Sequence, residues 1–164
     1  MLHLIAKSKS ESGFTLIETL VVVVLIGVLA AVATPSFTAW RNKNNVNQAI
    51  TNTRSALIEA YRQAQRQSQN CSINLGASSI SSSDNCLLSA RDLPSNVELA
   101  SNLTGGKLDF DFNGNISAGG TIVLYEQETG YKKCLVISEP LAIIREGSYT
   151  GDISSINDSN CKKD

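Results

Sequence analysis

The hydrophobic residues of the chain are concentrated in one long uncharged stretch near the amino terminus. No charged residue occurs between Thr19 and Trp40, and Leu20 to Ala33 is almost entirely Leu, Val, Ile and Ala. The 22 residues 14–35 would form about 33 Å of helix, which matches a hydrocarbon core of about 30 Å. A secretory signal has a shorter apolar stretch and a small-residue cleavage site. The pattern therefore predicts a retained transmembrane helix over residues 14–35.

A second helix pattern follows directly, because residues 36–69 contain neither Gly nor Pro. One stripe of this segment recurs at spacings of three and four, as Val46, Ile50, Thr53, Leu57, Tyr61 and Ala64. Its charged residues, Arg41, Lys43, Arg54, Arg62, Arg66 and Glu59, give a net charge of +4. A basic surface for anionic lipid or DNA is one interpretation. A solvated helix whose apolar stripe packs on the rest of the protein is the interpretation we favour.

The remaining residues, 70–164, show β patterns. Leu108, Phe110 and Phe112 alternate with aspartates, and Asn113-Gly114 then favours a tight hairpin turn. Residues 121–126 and 133–137 predict a second hairpin, residues 141–145 a further short strand, and residues 78–84 a Ser-rich loop. The predicted fold is α+β: a long N-terminal helix, transmembrane and then amphipathic, packed on a small antiparallel β-sheet head.

The amino-acid composition limits the kinds of catalysis and metal binding that the chain could carry out. The chain has 164 residues, a net charge of -1 and one histidine, His3. If the N-terminal residues are removed, Ser/His/Asp and Cys/His catalysis and His-ligated zinc are excluded together. No other catalytic constellation is present, so we expect neither an enzyme nor a cofactor.

Two residues are unusual for a simple membrane anchor. Glu18 lies inside the apolar segment, where an ionised carboxylate is costly without a partner. Pro35 lies where the helix leaves the membrane, and it removes a backbone donor and favours a bend. An interfacial Glu18 that reaches the lipid headgroups and a plain helix end at Pro35 are the simpler alternatives.

The segment Gly13-Phe14-Thr15-Leu16-Ile17-Glu18, with the apolar run after it, resembles the signal of type IV prepilins and type II secretion pseudopilins. The resemblance implies a pilin-like fold, cleavage between Gly13 and Phe14 by a prepilin peptidase, and N-methylation of Phe14. It also implies that Glu18 neutralises the new amino terminus of a neighbouring subunit during assembly. Gly27 and Pro35 match positions where the stem helix of the family loosens or bends, so we expect a helix kink there.

The implied organisation has four parts: a cleaved leader (1–13), a transmembrane helix (14–35), an amphipathic stem (36–69) and a disulfide-bonded head (70–164). The implied partners are the peptidase, other pilin or pseudopilin subunits, the inner-membrane assembly platform and membrane lipid. The expected location is the bacterial inner membrane, with one span and a periplasmic head, and later the fibre. Residues 112–116 and 143–147 also resemble, more weakly, the GspH/FimT minor pseudopilins.

Four cysteines, at 71, 86, 134 and 161, lie beyond the predicted span, and an even number suits an oxidising compartment. Three pairings are open. We favour Cys71–Cys86 and Cys134–Cys161, because each closes a short, turn-rich loop. The cysteines lack the Cys-x-x-Cys spacing typical of a zinc site, so we expect no metal there.

Two ligands are considered and disfavoured. Asp109 to Gly114 matches the start of a calcium loop, but the twelfth position is Gly120 instead of a bidentate Glu. DNA is the other ligand. Residues 70–164 carry seven Lys/Arg and twelve Asp/Glu, and because this excess of negative charge would repel the DNA phosphates, we disfavour DNA binding.

The predicted function is that of a structural, minor subunit of a type IV pilus or a type II secretion pseudopilus. A DNA-uptake or adhesive tip pilin is one alternative. A single-pass membrane protein with an extracytoplasmic binding domain is the other.

Overall fold

The computed structural model describes residues 13–83 and 85–163. These residues divide into two compact units, with the boundary between Thr38 and Ala39. In the described residues the chain has one α-helix, nine strands and three short 3-10 turns. The helix is α1 (Leu16–Gln67), and the strands are β1 (Cys71–Leu75), β2 (Ser79–Ser82), β3 (Arg91–Asp92), β4 (Glu98–Ser101), β5 (Lys107–Phe110), β6 (Gly120–Tyr125), β7 (Lys132–Ser138), β8 (Ile143–Tyr149) and β9 (Cys161–Lys162). The 3-10 turns are Thr104–Gly106, Ile153–Ser155 and Asp158–Asn160. The predicted α+β class, with a long N-terminal helix and an antiparallel β head, is confirmed.

The strands form two antiparallel sheets, where the sequence predicts one small sheet. The four-stranded sheet has the order β3-β2-β1-β5, and the five-stranded sheet has the order β4-β6-β7-β8-β9. The prediction missed the extra strands because most are only two to five residues long. Short strands carry too few alternations to show a period of two.

The Ser-rich segment 78–84 is not a loop throughout, because Ser79–Ser82 is strand β2. Ile80 is fully buried and pairs with Leu75 on one side and Arg91 on the other. One inward-facing isoleucine is enough to fix the register, since shifting a strand by one residue would turn it to solvent.

The alternation at 108–112 also ends earlier than predicted. Strand β5 stops at Phe110, which is buried, whereas Phe112 is 55% exposed in the turn. Gly114 donates its backbone N–H to the carbonyl of Asp111 at 2.8 Å, and Phe110 bridges to Ile116. The chain therefore does turn at Asn113-Gly114, but Phe112 belongs to the turn.

The hairpin formed by β6 and β7 agrees with its prediction, since Thr121 pairs with Val136 and Val123 with Cys134. Strand β8 begins two residues after the predicted start and runs on to Tyr149. Ala142 has φ 52°, a left-handed conformation that a strand does not adopt, and it delays the start.

The core of the second unit lies between α1 and the sheets. The predicted stripe is buried: Val46, Ile50, Thr53, Leu57 and Ala64 are at most 2% exposed, and Tyr61 packs at the edge. Side chains of β6 and β7, such as Ile122 and Leu135, share this core. Packing of the stripe on the head, the interpretation favoured over a basic binding surface, is what the structure shows.

The opposite face of the five-stranded sheet holds a second, smaller core. Val123, Cys134 and Tyr149 pack there against Ile156 and Cys161 of the C-terminal segment. Because successive strand residues point to opposite faces, α1 and the C-terminal segment cover opposite sides of the same sheet.

Candidate functional site

The link between Gly13 and Phe14 precedes the helix and is open to solvent. Residues 13–15 are not helical, and the Phe14 side chain is 81% exposed. A Cβ built on Gly13 would meet no atom within 4 Å. A non-helical, exposed peptide bond is accessible to a protease, whereas the first helical bond begins three residues later. Residues 1–12 of the predicted leader lie outside the described residues.

Thr15 starts the helix, a role that the sequence analysis missed. The backbone N–H of Glu18 donates to the Thr15 carbonyl at 3.1 Å and to its hydroxyl at 3.3 Å. Thr-x-x-Glu is the sequence pattern of a capping box, so the signal was present in the sequence. The cap sets α1 to begin at Leu16, three residues after Gly13.

Glu18 lies in the first turn of α1. A carboxylate there interacts favourably with the partial positive charge of a helix amino terminus. Glu18 therefore has a favourable position within its own chain, in addition to the role between subunits that the resemblance implies.

The apolar run after Glu18 is exposed along its length. Large hydrophobic side chains from Leu16 to Val32 are 48–82% exposed. The helix is long and apolar enough to cross a membrane, by length and composition. This surface is one that a lipid or a neighbouring helix would cover.

Gly27 and Pro35 both lie inside α1. Proline removes the N–H that would bond to the carbonyl four residues earlier. Nearby hydroxyls donate to helix carbonyls: Thr34 to Ala30 at 2.7 Å, and Thr38 to Pro35 at 3.0 Å. Around Gly27 an added Cβ would meet no atom within 4 Å. A kink at either residue stays a prediction.

The aspartates of the calcium-like motif serve local structure. Asp109 accepts the Ser72 hydroxyl at 2.6 Å. Asp111 accepts the backbone N–H groups of Asn113 at 2.8 Å and Asn115 at 2.7 Å. Both carboxylates therefore already have hydrogen-bond donors, and those on Asp111 shape the turn at Gly114.

Cys71 is bonded to Cys86, and Cys134 to Cys161, the same two pairs that the sequence favours. The first pair holds the loop after β2 against β1. The second ties β9 to β7, which is the central strand of its sheet. Both pairs therefore anchor segments that have little regular structure of their own.

A buried carboxylate organises the hairpin between β6 and β7, and no sequence pattern indicated it. Glu126 is 2% exposed and accepts hydrogen bonds from the N–H of Glu128 at 2.9 Å and from the N–H and hydroxyl of Thr129. Burial raises the pKa of the Glu126 carboxyl, but these donors together lower it more, so the pKa lies below its ordinary value. The charged form holds the turn closed.

The tip of this hairpin contacts the stem. Glu128 accepts from the Asn42 amide at 3.2 Å, and the Tyr131 hydroxyl donates to Asn47 at 3.2 Å. The Lys43 ammonium lies 5.8 Å from the centre of the Tyr131 ring. Next to the hairpin, the Tyr125 hydroxyl donates to Glu98 at 2.6 Å, and this bond, with burial and the Glu98 charge, raises the pKa of Tyr125 to about 12.

The stem arginines differ in their partners. Arg54 forms an ion pair with Glu146 at 3.6 Å. Glu59, the one acid of the stem, binds Arg91 at 2.7 Å and the backbone N–H of Leu88 at 2.8 Å. Within residues 13–83 and 85–163, no ion pair involves Arg62 or Arg66, and both side chains are exposed.

Residues 8–34 match a family model described as the prokaryotic N-terminal methylation motif. A protein described as "Fimbrial protein" from Pseudomonas aeruginosa is 41% identical over 56 residues, which cover 34% of this chain and 36% of that protein. The "Type IV major pilin protein PilE1" of Neisseria gonorrhoeae is 39% identical over 54 residues, covering 31% of this chain and 33% of that one.

The chain thus spans about a third of the length of the curated relatives it matches. No solved structure matches it. What the relatives share with it is a segment of 54 to 56 residues of similar sequence, and the fold of the head stands on the structure alone. The chain carries the N-terminal methylation motif of prepilins and is similar, over about a third of its length, to type IV pilins.

Proposed function

We propose that the chain is a subunit of a type IV pilus or a type II secretion pseudopilus, made as a membrane precursor. A prepilin peptidase cuts between Gly13 and Phe14, and Phe14 is N-methylated. The observation that carries this proposal is the methylation motif over residues 8–34, with its Gly13-Phe14 link exposed ahead of the helix. Cleavage at this link leaves the whole apolar run in the mature chain.

Assembly proceeds through the N-terminal helix. Cleavage creates an ammonium at Phe14 in an apolar setting, and a buried charge is very costly unless it is paired. Glu18 of one subunit neutralises Phe14 of its neighbour, which fixes the register between helices. The exposed apolar side chains of residues 16–32 support such packing, because in the fibre they lie against other helices instead of lipid.

Before assembly, the subunit is held by one span in the inner membrane with its head in the periplasm. The two disulfides support this side of the membrane, because such bonds persist in an oxidising compartment. The assembly platform then transfers the subunit from lipid into the fibre. The weak GspH/FimT resemblance of the head supports a minor subunit, and we propose a structural role with no enzymatic activity.

Mass spectrometry of the mature amino terminus tests the proposal. In cells with active prepilin peptidase we expect a chain that begins with N-methylated Phe14, and in cells without the peptidase a chain that retains residues 1–13. A chain that keeps residues 1–13 in both strains would overturn it, and would favour a single-pass membrane protein instead.

A second experiment separates processing from assembly. We expect Glu18→Ala to be cleaved normally but to be lost from sheared fibres. Thr15 should still cap the helix in this variant, because its cap contacts the backbone of residue 18 and not the carboxylate. Glu18→Asp is the matched control, since it keeps the charge. Normal incorporation of Glu18→Ala would remove the charge pair from the proposal.

A further inference from the structure

The outward face of the stem helix combines exposed cations with an exposed leucine. A groove of about 490 Å³ there is lined by Ser55, Ile58, Glu59, Arg62, Gln63, Arg66 and Leu88, and the Glu59 carboxylate in it is already paired with Arg91. Leu88 is 92% exposed. A second groove of about 270 Å³ shares Ile58 and Arg62 and continues to Leu141, which is 64% exposed. We call the area formed by Ile58, Arg62, Arg66 and Leu88 the arginine–leucine surface.

Hydrogen bonds and a disulfide hold parts of this surface in place, although its leucine contacts little of the protein. Glu59 accepts the backbone N–H of Leu88 at 2.8 Å and is fixed in turn by Arg91 at 2.7 Å. The Ser82 hydroxyl accepts the N–H groups of Cys86 and Leu87, and Cys86 is bonded to Cys71. A preorganised loop that presents an apolar side chain beside arginines is typical of a protein interface, since little ordering entropy is lost on binding.

The chemistry of the surface favours an acidic partner. Arg62 and Arg66 lie one turn apart on the helix and form no ion pair within the described residues. An apolar partner alone would leave two cations desolvated without compensation. A carboxylate-bearing surface with some apolar area would satisfy both the arginines and Leu88.

The protein itself carries such a surface on its other side. A groove of about 530 Å³ is lined by the acids Glu139 and Asp158, the apolar Val136 and Ile156, and no Lys or Arg. We call it the acidic groove. It lies beside the C-terminal segment, so the five-stranded sheet separates it from α1. Residues 70–164 as a whole have seven basic and twelve acidic side chains, which favours approach of an arginine.

We propose that the arginine–leucine surface of one copy docks on the acidic groove of a second copy of this chain. Two different surfaces on opposite sides of one head make a heterologous contact. Such a contact leaves both outer surfaces available, so it extends into an open helical array and does not close as a dimer. The inference rests on the proposed function and requires in addition that at least two copies of this chain lie next to each other in the fibre, which a minor subunit does only where its copies cluster. It adds a contact between heads that is separate from the Phe14–Glu18 pairing.

Photo-crosslinking of the full chain in sheared fibres tests the contact. Benzoylphenylalanine replaces Gln63, which lies between the two arginines and lines the same groove. We expect a covalent dimer of this chain whose crosslinked peptide contains Glu139 or residues 156–158. Benzoylphenylalanine at Lys107, an exposed position at the edge of the other sheet, is the control and should give no such dimer.

Charge reversal supplies the second measurement. Arg62→Glu with Arg66→Glu should lower the dimer yield about tenfold, as should Glu139→Lys with Asp158→Lys, because two ion pairs become repulsive. The four changes together should restore the yield to within about threefold of the unaltered chain. The absence of reactive thiols in each variant verifies that its head is folded with both disulfides.

The outcomes separate this inference from the proposed function. Fibres that contain the chain but give crosslinks only to other proteins, or none, overturn the second-copy contact and leave the proposed function intact. A failure of the four changes to restore the yield also overturns it. Absence of the chain from fibres, with an uncut amino terminus, overturns the proposed function and the inference with it.

Discussion

The two halves of α1 both carry large apolar side chains, but they differ in how these are arranged and in what surrounds them. Residues 16–32 have large side chains that are all at least 48% exposed, on every side of the helix. In the second half, only one stripe is buried, and its residues Val46, Ile50 and Leu57 are at most 1% exposed. Hydrophobicity alone therefore does not assign a role to a segment of helix. The distribution around the helix does, because a stripe needs one partner surface and an all-round apolar helix needs lipid or many neighbours.

The largest expected effect comes from the buried stripe. Leu57→Ala should lower the free energy of unfolding of the head by about 2–5 kcal/mol, because Leu57 is fully buried between α1 and the sheets. Leu25→Ala, in the exposed half, should leave it unchanged. Denaturant unfolding of the full chain in detergent micelles measures both. Equal losses in the two variants would contradict the division of α1 into two roles.

The disulfides sharpen the same comparison, because only the head has them. Cys134→Ser with Cys161→Ser removes the bond between cysteines that are 27 residues apart in sequence. Cys71→Ser with Cys86→Ser removes the bond between cysteines that are 15 residues apart. We expect losses of about 3.5 and about 3 kcal/mol in the free energy of unfolding. Thermal unfolding in micelles measures them. A larger loss for the 15-residue pair would indicate that strain or residual structure outweighs loop closure.

The pH dependence of the head should reveal Glu126. Its folded pKa lies below the ordinary value of 4.5, so its stabilising effect is complete above pH about 4.5 and is lost as the pH falls through the folded pKa. Glu126→Gln should lower the free energy of unfolding at pH 7 by about 1–3 kcal/mol and flatten its decline in acid. Denaturant unfolding at pH 7 and pH 3 gives both numbers.

Glu128→Gln is the matched control for that prediction. The Glu128 side chain lies on the same turn but is exposed, and among the described contacts it bonds only to Asn42. The free energy of unfolding of this control at pH 7 should fall by less than that of Glu126→Gln, because the exposed side chain accepts one hydrogen bond instead of three. A Glu126→Gln variant with an undiminished acid decline would show that other carboxylates control the pH dependence.

The smallest effect should be local to the start of α1. Thr15→Val removes the hydroxyl that caps the Glu18 N–H, and loss of an N-cap costs about 1 kcal/mol. We expect faster amide hydrogen exchange at Glu18 in micelles and an unchanged unfolding of the head, with Thr15→Ser as the conservative control. Faster unfolding or a lower free energy of unfolding of the head would show that the two halves of α1 are energetically coupled.

Several features of the fold were accessible from local patterns. The stripe from Val46 to Ala64 repeats over five turns, so its burial was predictable, as was the hairpin around residues 127–130. Strand β2 was not predictable, because one isoleucine among serines has no visible period. Glu126 was missed for another reason: its donors are the backbone of its own turn, and nothing in the residue types distinguishes it from an exposed glutamate.

The sequence by itself determined the parts of this protein that depend on near neighbours in the chain. These are the apolar length of residues 14–35, the Gly13-Phe14 motif, the Thr15 to Glu18 cap pattern and the helical stripe. The tertiary structure alone decided that the β head has two sheets, that α1 and the C-terminal segment cover opposite faces of one of them, and that Arg62 and Leu88 share a surface. The reason is physical: local patterns follow from the helix and strand periods, whereas contacts between distant residues follow from how all the buried surfaces fit together.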